Sequence, residues 1–149
     1  MDDLQQLETW VAPLLAKLQP GARRALARKV GIALRRSQHQ RVGEQRNPDG
    51  SAFLPRKRTL KAGRIKSRKL KMFRRIAKTD YLKAQATEHD VTVGFYGRIA
   101  RIARVHQEGL ADRVSRGGPT VRYERRQLLG FTDVDLRMIS DLLIEHLAR

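Results

Sequence analysis

Residues 81–110, YLKAQATEHDVTVGFYGRIARIARVHQEGL, decide the fold class, because their hydrophobic period changes within one short stretch. Residues 81–86 and the alternating, β-branched run 91–95 are typical of strands joined by a polar turn. Over residues 99–106 the apolar side chains recur every three or four positions, as in an amphipathic helix, and Gly109 is placed to cap its end. The stretch therefore predicts a β-hairpin followed by a central helix.

Helical patterns flank this stretch on both sides. Apolar residues spaced three and four apart from Leu4 to Leu18 predict a first helix. Pro20-Gly21 interrupts the pattern, and a second helix is expected up to Val42. Near the C-terminus Thr132 is a natural N-cap for a helix that ends at about Leu147. The N-terminal pair predicts a helical hairpin.

The order of these elements predicts an α+β fold in a single domain over residues 1–149. We expect a helical hairpin at 1–42, an extended basic arm at 43–71 and an α+β core at 72–149. In that core a small antiparallel β-sheet, with a short strand at 120–123, packs with the central helix and the C-terminal helix.

The charge of the chain is concentrated in one segment. The 149 residues contain 32 Lys+Arg and 15 Asp+Glu, a formal net charge of +17, and residues 21–76 contain 19 of the basic and only two of the acidic side chains. Residues 43–71 show no helical period and too little apolar surface to offset the entropy lost on ordering. We therefore expect an arm that becomes ordered only against a partner.

Several functional classes are excluded by composition and motif. The chain has no cysteine, so it has no disulfide, no thiolate nucleophile and no cysteine-ligated metal. No apolar run is long enough to span a membrane, and the start Met1-Asp2-Asp3 does not predict a secretory signal. We find no phosphate-binding loop and no HExxH motif, and His106 lies on an apolar helix face, as structural histidines do. The sequence therefore predicts no catalytic residues, no metal and no cofactor, and hence no enzyme.

The basic segment leaves two functions open. A nonspecific nucleic-acid-binding protein would use residues 21–76 to neutralise phosphates, although Phe53 and Phe73 are the only aromatic side chains there for stacking. Alternatively, a basic arm docks on a protein with an acidic surface. A merely solvated basic face is the third interpretation, and the self-repulsion of so many charges in one segment argues against it.

Three motifs, taken in order, resemble the phage virion morphogenesis family. They are RNPDGSAFLP at 46–55, the strand 91–94 with ARIARVHQEGL at 100–110, and VRYERRQLLGFT at 121–132. The sequence departs from the family pattern at Phe53, where tryptophan is expected, at Val105, where isoleucine is usual, and at Glu124, where a proline often follows the tyrosine. The helical pair at the N-terminus also stands where the family has it.

The resemblance implies a structural protein at the head-proximal end of a phage tail or tail-like particle, which completes the tail for joining to the head. It implies a homo-oligomeric ring, expected to be a hexamer, made in the bacterial host cytoplasm and then located in the virion. The implied partners are the protein itself, the end of the tail tube or sheath, and the neck or connector proteins. Phage DNA is kept as a further contact, and no membrane is implied.

The residues expected at the assembly interface belong to the first motif, the basic arm and two later polar positions. Asp49 and Gly50 are also expected to shape a turn, and Gly130 to permit a close approach where the last helix begins. The interface set is Arg46, Asp49, Gly50, Phe53, Arg56, Lys57, Arg58, Lys61, Arg64, Lys66, Arg68, Lys69, His106 and Arg125.

Overall fold

The computed structural model of the protein describes residues 2–56 and 71–147, with the side chains of residues 2 and 3 left out. Over these ranges it contains four helices and four strands, which confirms the predicted α+β class. In chain order the elements are α1 (Asp2–Leu15), α2 (Pro20–Gly43), β1 (Leu82–Ala86), β2 (Val91–Phe95), α3 (Ile99–Glu108), β3 (Ala111–Arg113), β4 (Thr120–Arg122) and α4 (Asp133–Leu147).

The described strands form two separate two-stranded sheets, whereas the sequence predicted one small sheet. β1 pairs with β2 in the expected hairpin, and its turn is closed by a bond from the Thr87 amide to the Asp90 carbonyl (2.9 Å). β3 pairs antiparallel with β4, with Asp112 opposite Val121. β3 was not predicted, because Ala-Asp-Arg has no alternating β-branched pattern.

The chain is divided into two compact units. The first, here called the terminal unit, comprises residues 1–37, 83–93 and 131–149. The second, the central unit, comprises residues 38–82 and 94–130. Each unit has its own hydrophobic core.

Aliphatic side chains from three helices build the core of the terminal unit. Its buried residues are Val11 of α1, Leu26, Val30 and Leu34 of α2, and Ile139 and Leu143 of α4. Each removes its side chain from water, which stabilises the unit by about 1.5–3 kcal/mol per residue. These are the positions that the helical periodicity predicts.

The predicted N-cap of α4 is confirmed. The Asp135 amide donates to Thr132 Oγ1 (2.9 Å), and the Thr132 amide donates to the Asp135 carboxylate (3.0 Å). This reciprocal pair satisfies backbone donors that the first turn of a helix otherwise leaves open. Ser37 of α2 also donates its hydroxyl to Asp135, so the cap is tied to a second helix.

The core of the central unit corrects our expectation for residues 43–56. Phe53 is 5% exposed and packs with residues of α2, α3 and the segments around them: Val42, Met72, Ile76, Ala77, Ala103 and Leu128. Residues 43–56 are therefore folded into the central unit and do not extend from it as an arm. The physical reason is that Phe53 alone buries a large apolar area. The rest of the predicted arm, residues 57–70, lies outside the described residues.

Candidate functional site

The first motif forms a closed turn in the central unit. Gly50 adopts φ +90°, which favours glycine, and its amide donates to the Asn47 carbonyl (2.9 Å). The Asp49 carboxylate accepts the Ser51 amide (2.8 Å) and the Ser51 hydroxyl, and these bonds lower the pKa of that carboxyl. Arg46 donates to the Gly50 carbonyl (2.9 Å). Asp49 and Gly50 thus shape the turn as the sequence predicted.

A buried arginine of α2 joins the first and last motifs. Arg41 is 7% exposed and donates to the backbone carbonyls of Arg46 (2.8 Å), Gln127 (2.9 Å) and Leu128 (2.8 Å). Its guanidinium also donates to the Gln38 side chain (2.6 Å). Hydrogen bonds from a charged donor are stronger than neutral ones, so this side chain fixes three carbonyls in two backbone segments at once.

Side-chain amides complete the same network. Gln38 donates to the Gly130 carbonyl (2.8 Å) and accepts the Gly130 amide (3.1 Å). Gln107 of α3 accepts the amides of Leu128 (2.8 Å) and Leu129 (2.9 Å) and donates to the Leu129 carbonyl (2.9 Å). The segment 127–130 is not a strand, so these side chains supply the backbone partners that a sheet would otherwise provide.

The side-chain oxygen of Asn47 accepts a hydrogen bond from the Gln127 amide (2.9 Å). This bond connects the last motif to the first turn. We name Gln38, Arg41, Asn47 and Gln107 the amide–arginine network. No sequence pattern assigns a role to these four residues. Asn47 and Gln107 stood within recognised motifs, which is the signal that identifies them in retrospect.

Arg126, and not its neighbour Arg125, is the buried arginine of the last motif. Arg126 is 5% exposed, and its guanidinium donates to the carbonyls of Leu54 (2.8 Å) and Pro55 (3.0 Å). Burial lowers the pKa of Arg126, while Glu124 opposes that shift. Arg125 is exposed, and its backbone lies 3.2 Å from where a side chain on Gly109 would begin.

His106 lies in a row of rings on the central unit. Its ring centroid is 4.8 Å from that of Phe73 and 4.9 Å from that of Tyr123, both edge-on, and Phe73 is 5.8 Å from Phe53. Burial, followed by the nearby charges of Arg126 and Arg56, lowers the pKa of the imidazole. His106 Nδ1 is buried without a hydrogen-bond partner among the described residues. This environment favours the neutral ring and the structural role that the sequence predicted.

Gly130 stands where the backbone approaches Pro48 of the first turn. A Cβ built on Gly130 would lie 2.4 Å from Pro48 Cγ, a separation that real atoms do not adopt. The predicted close approach at Gly130 is therefore present, and its partner is the proline of the first motif.

The structure brings part of the predicted interface set into the central unit. Arg46, Asp49 and Gly50 lie in the first turn, Phe53 in the core and Arg56 at the edge of a cleft beside His106. Seven predicted cations lie outside the described residues: Lys57, Arg58, Lys61, Arg64, Lys66, Arg68 and Lys69.

Two further observations concern the described ranges 2–56 and 71–147. Within them no three His, Asp or Glu side chains converge in a way that would hold a metal ion. No helix there is long and apolar enough to cross a membrane.

A known family and a known protein both match this chain along its length. The profile of the phage virion morphogenesis family matches residues 2–148. The chain is 35% identical over 153 aligned positions to tail completion protein S of Escherichia phage P2, with 100% of each chain covered. No solved structure matches it significantly. The chain thus belongs to the phage virion morphogenesis family and has a structural role in a phage tail.

Proposed function

We propose that this protein completes the head-proximal end of a phage tail and so makes the tail competent to join a head. The observation that carries the proposal is the end-to-end match to a protein named for tail completion, with no part of either chain left over. The three motifs behind the resemblance converge on one hydrogen-bonded framework in the central unit, which supports a common architecture.

The working form is a homo-oligomeric ring that contacts the end of the tail tube or sheath and the neck or connector proteins. Tail ends are built around a symmetry axis, and closed rings of one subunit are the simplest way to match it. The basic segment 43–71 supplies the surface that contacts these partners. Its cations steer the subunit to acidic partners, and DNA in the tail is a second contact.

The test is a phage in which this gene is deleted. We expect tails of aberrant length or structure that do not join heads in extracts, and normal particles when the wild-type protein is supplied in trans. Electron microscopy of both preparations gives the readout. Infectious particles of ordinary shape from the deletion would overturn the proposal.

Nucleic-acid binding is the second candidate function, and the charge of the central unit favours it. By sequence that unit contains 22 Lys+Arg against 6 Asp+Glu. Filter binding to a random-sequence duplex across a salt series separates the candidates. Tight binding at physiological salt with a steep salt slope would make DNA the principal partner. Binding seen only at low salt supports protein assembly.

A further inference from the structure

The central unit has an open cleft with an apolar wall. It borders the ring row of His106, and the apolar or aromatic side chains that line it include Phe73, Ile76, Ile102, Val114, Val121 and Tyr123. Ile102 and Val114 are 44% and 58% exposed. Exposed apolar side chains that line one cleft are typical of interaction sites on soluble proteins.

The edge of the cleft is strongly basic. Seven cations stand among its lining residues: Arg56, Lys71, Arg74, Arg75, Lys78, Arg122 and the buried Arg126. All of them except Arg126 are exposed, and Glu124 is the one acid among the described residues that line the cleft. A fitting occupant therefore presents apolar side chains next to carboxylates.

The segment 57–70 does not have that chemistry. It contains seven Lys or Arg and no Asp or Glu, the same sign of charge as the edge of the cleft. Charge complementarity therefore favours an occupant from outside that segment.

A surface of the required chemistry is present on the terminal unit. Phe131 is 48% and Val134 is 70% exposed at the start of α4, and the exposed Asp133 stands between them in sequence. We call Phe131, Asp133 and Val134 the α4 knob. Aromatic anchors of this kind contribute most of the binding free energy in many interfaces.

We propose that the α4 knob of one copy docks in the basic cleft of the next copy, head to tail. This inference rests on the homo-oligomer of the proposed function and names the two surfaces that build it. Because knob and cleft are different residues, the contact is heterologous, and each copy has one free surface of each kind until the assembly closes.

Two exposed-residue variants test the contact. The knob variant is Phe131→Ser with Val134→Ser, and the cleft variant is Ile102→Asp with Val114→Asp. All four side chains are at least 44% exposed, so we expect wild-type thermal melting for both. Ile144→Ser is the matched control, because Ile144 is a 48% exposed apolar residue of the same helix outside the knob.

The readout is mass in solution by light scattering over a range of concentrations. We expect the wild type and Ile144→Ser to be oligomers and each variant alone to be a monomer of 17.1 kDa. Mixed one to one, the two variants retain a single intact knob and a single intact cleft. The mixture is therefore expected to form a dimer of twice the protomer mass and to grow no further.

Three results would overturn the inference. The docking contact is ruled out if the knob variant or the cleft variant keeps the wild-type mass. It is also ruled out if the one-to-one mixture stays monomeric. If the cleft instead holds nucleic acid, the masses stay unchanged while the cleft variant loses binding to a labelled oligonucleotide. In each case the wild-type oligomer survives. A wild type that is monomeric at every concentration would instead remove the homo-oligomer of the proposed function itself.

Discussion

The two units of this protein differ both in charge and in what holds them together. By sequence the terminal unit contains 10 Lys+Arg against 9 Asp+Glu, whereas the central unit contains 22 against 6, a formal charge of +16. The terminal unit is held by aliphatic packing between helices. In the central unit, buried polar side chains also bind the backbone of segments that lack regular structure.

This difference teaches why the recognisable motifs fall mainly in the central unit. Many aliphatic residues of similar volume pack a helix interface about equally well. A side chain that satisfies specific backbone amides and carbonyls has few substitutes, because the change leaves those groups buried and unpaired. The central unit should therefore be much more sensitive to conservative changes than the terminal unit.

The largest expected effect is at Arg41. Arg41→Met keeps most of the side-chain length but removes the donors to Arg46, Gln127 and Leu128. We expect a loss of about 3–5 kcal/mol in the free energy of unfolding, because buried carbonyls and Gln38 lose a charged donor. Urea denaturation measures the change. Arg28→Met, at an exposed position of the same helix, is the control, and equal stability of the two variants would contradict this account.

A matched pair of volume-conserving changes compares the units directly. Gln107→Met leaves the amides of Leu128 and Leu129 without their acceptor, and we expect a loss of about 2–3 kcal/mol. Leu26→Met, at a buried position of the terminal unit, should cost less than about 1.5 kcal/mol. Urea midpoints of both variants give the comparison. If Leu26→Met is the more damaging change, the proposed contrast between the units is wrong.

A single methyl group tests the close approach at Gly130. Gly130→Ala places a Cβ against the rigid ring of Pro48, so we expect a loss of about 1–3 kcal/mol. Gly21→Ala is the control, because nothing lies within 4 Å of its Cβ and the residue is helical. A Gly130→Ala variant with the melting temperature of the control would show that Pro48 moves aside freely.

The smallest expected effect is the pH dependence of the central unit. The pKa of His106 is lower in the folded protein than its ordinary value of 6.5, so the unfolded chain binds the proton more tightly. Its contribution to stability is therefore complete above pH 6.5 and is lost as the pH falls below that value. His106→Phe should flatten this part of the stability curve, whereas His89→Gln, at an exposed histidine, should not. An unchanged slope in His106→Phe would contradict the assignment.

The sequence predicted what local periodicity controls. The helices, the β1–β2 hairpin and the Thr132 cap follow from side-chain spacing within a few residues, and the structure contains them. It did not predict that Phe53 enters a core, because one aromatic residue among cations and turn signals has no period.

The amide–arginine network escaped prediction for a related reason. Arg41 bonds to carbonyls that lie 86 and 87 residues further along the chain, and Gln38 to one 92 residues away. No local pattern encodes such partners, and an arginine on a basic helix looks like an ordinary surface cation. Arg126 shows the same gap, since only the fold decides which of two adjacent arginines is buried.

The amide–arginine network also sets how the protein responds to its surroundings. Guanidinium and amide groups keep their protonation state over the whole range of ordinary pH, and none of the four residues is a carboxylate. Acid that would protonate a carboxylate framework therefore leaves this one unaltered. A component of a phage particle has to keep its fold in whatever medium the particle meets. Because its hydrogen-bonding groups do not titrate, the amide–arginine network keeps its hydrogen bonds when the pH of the medium changes.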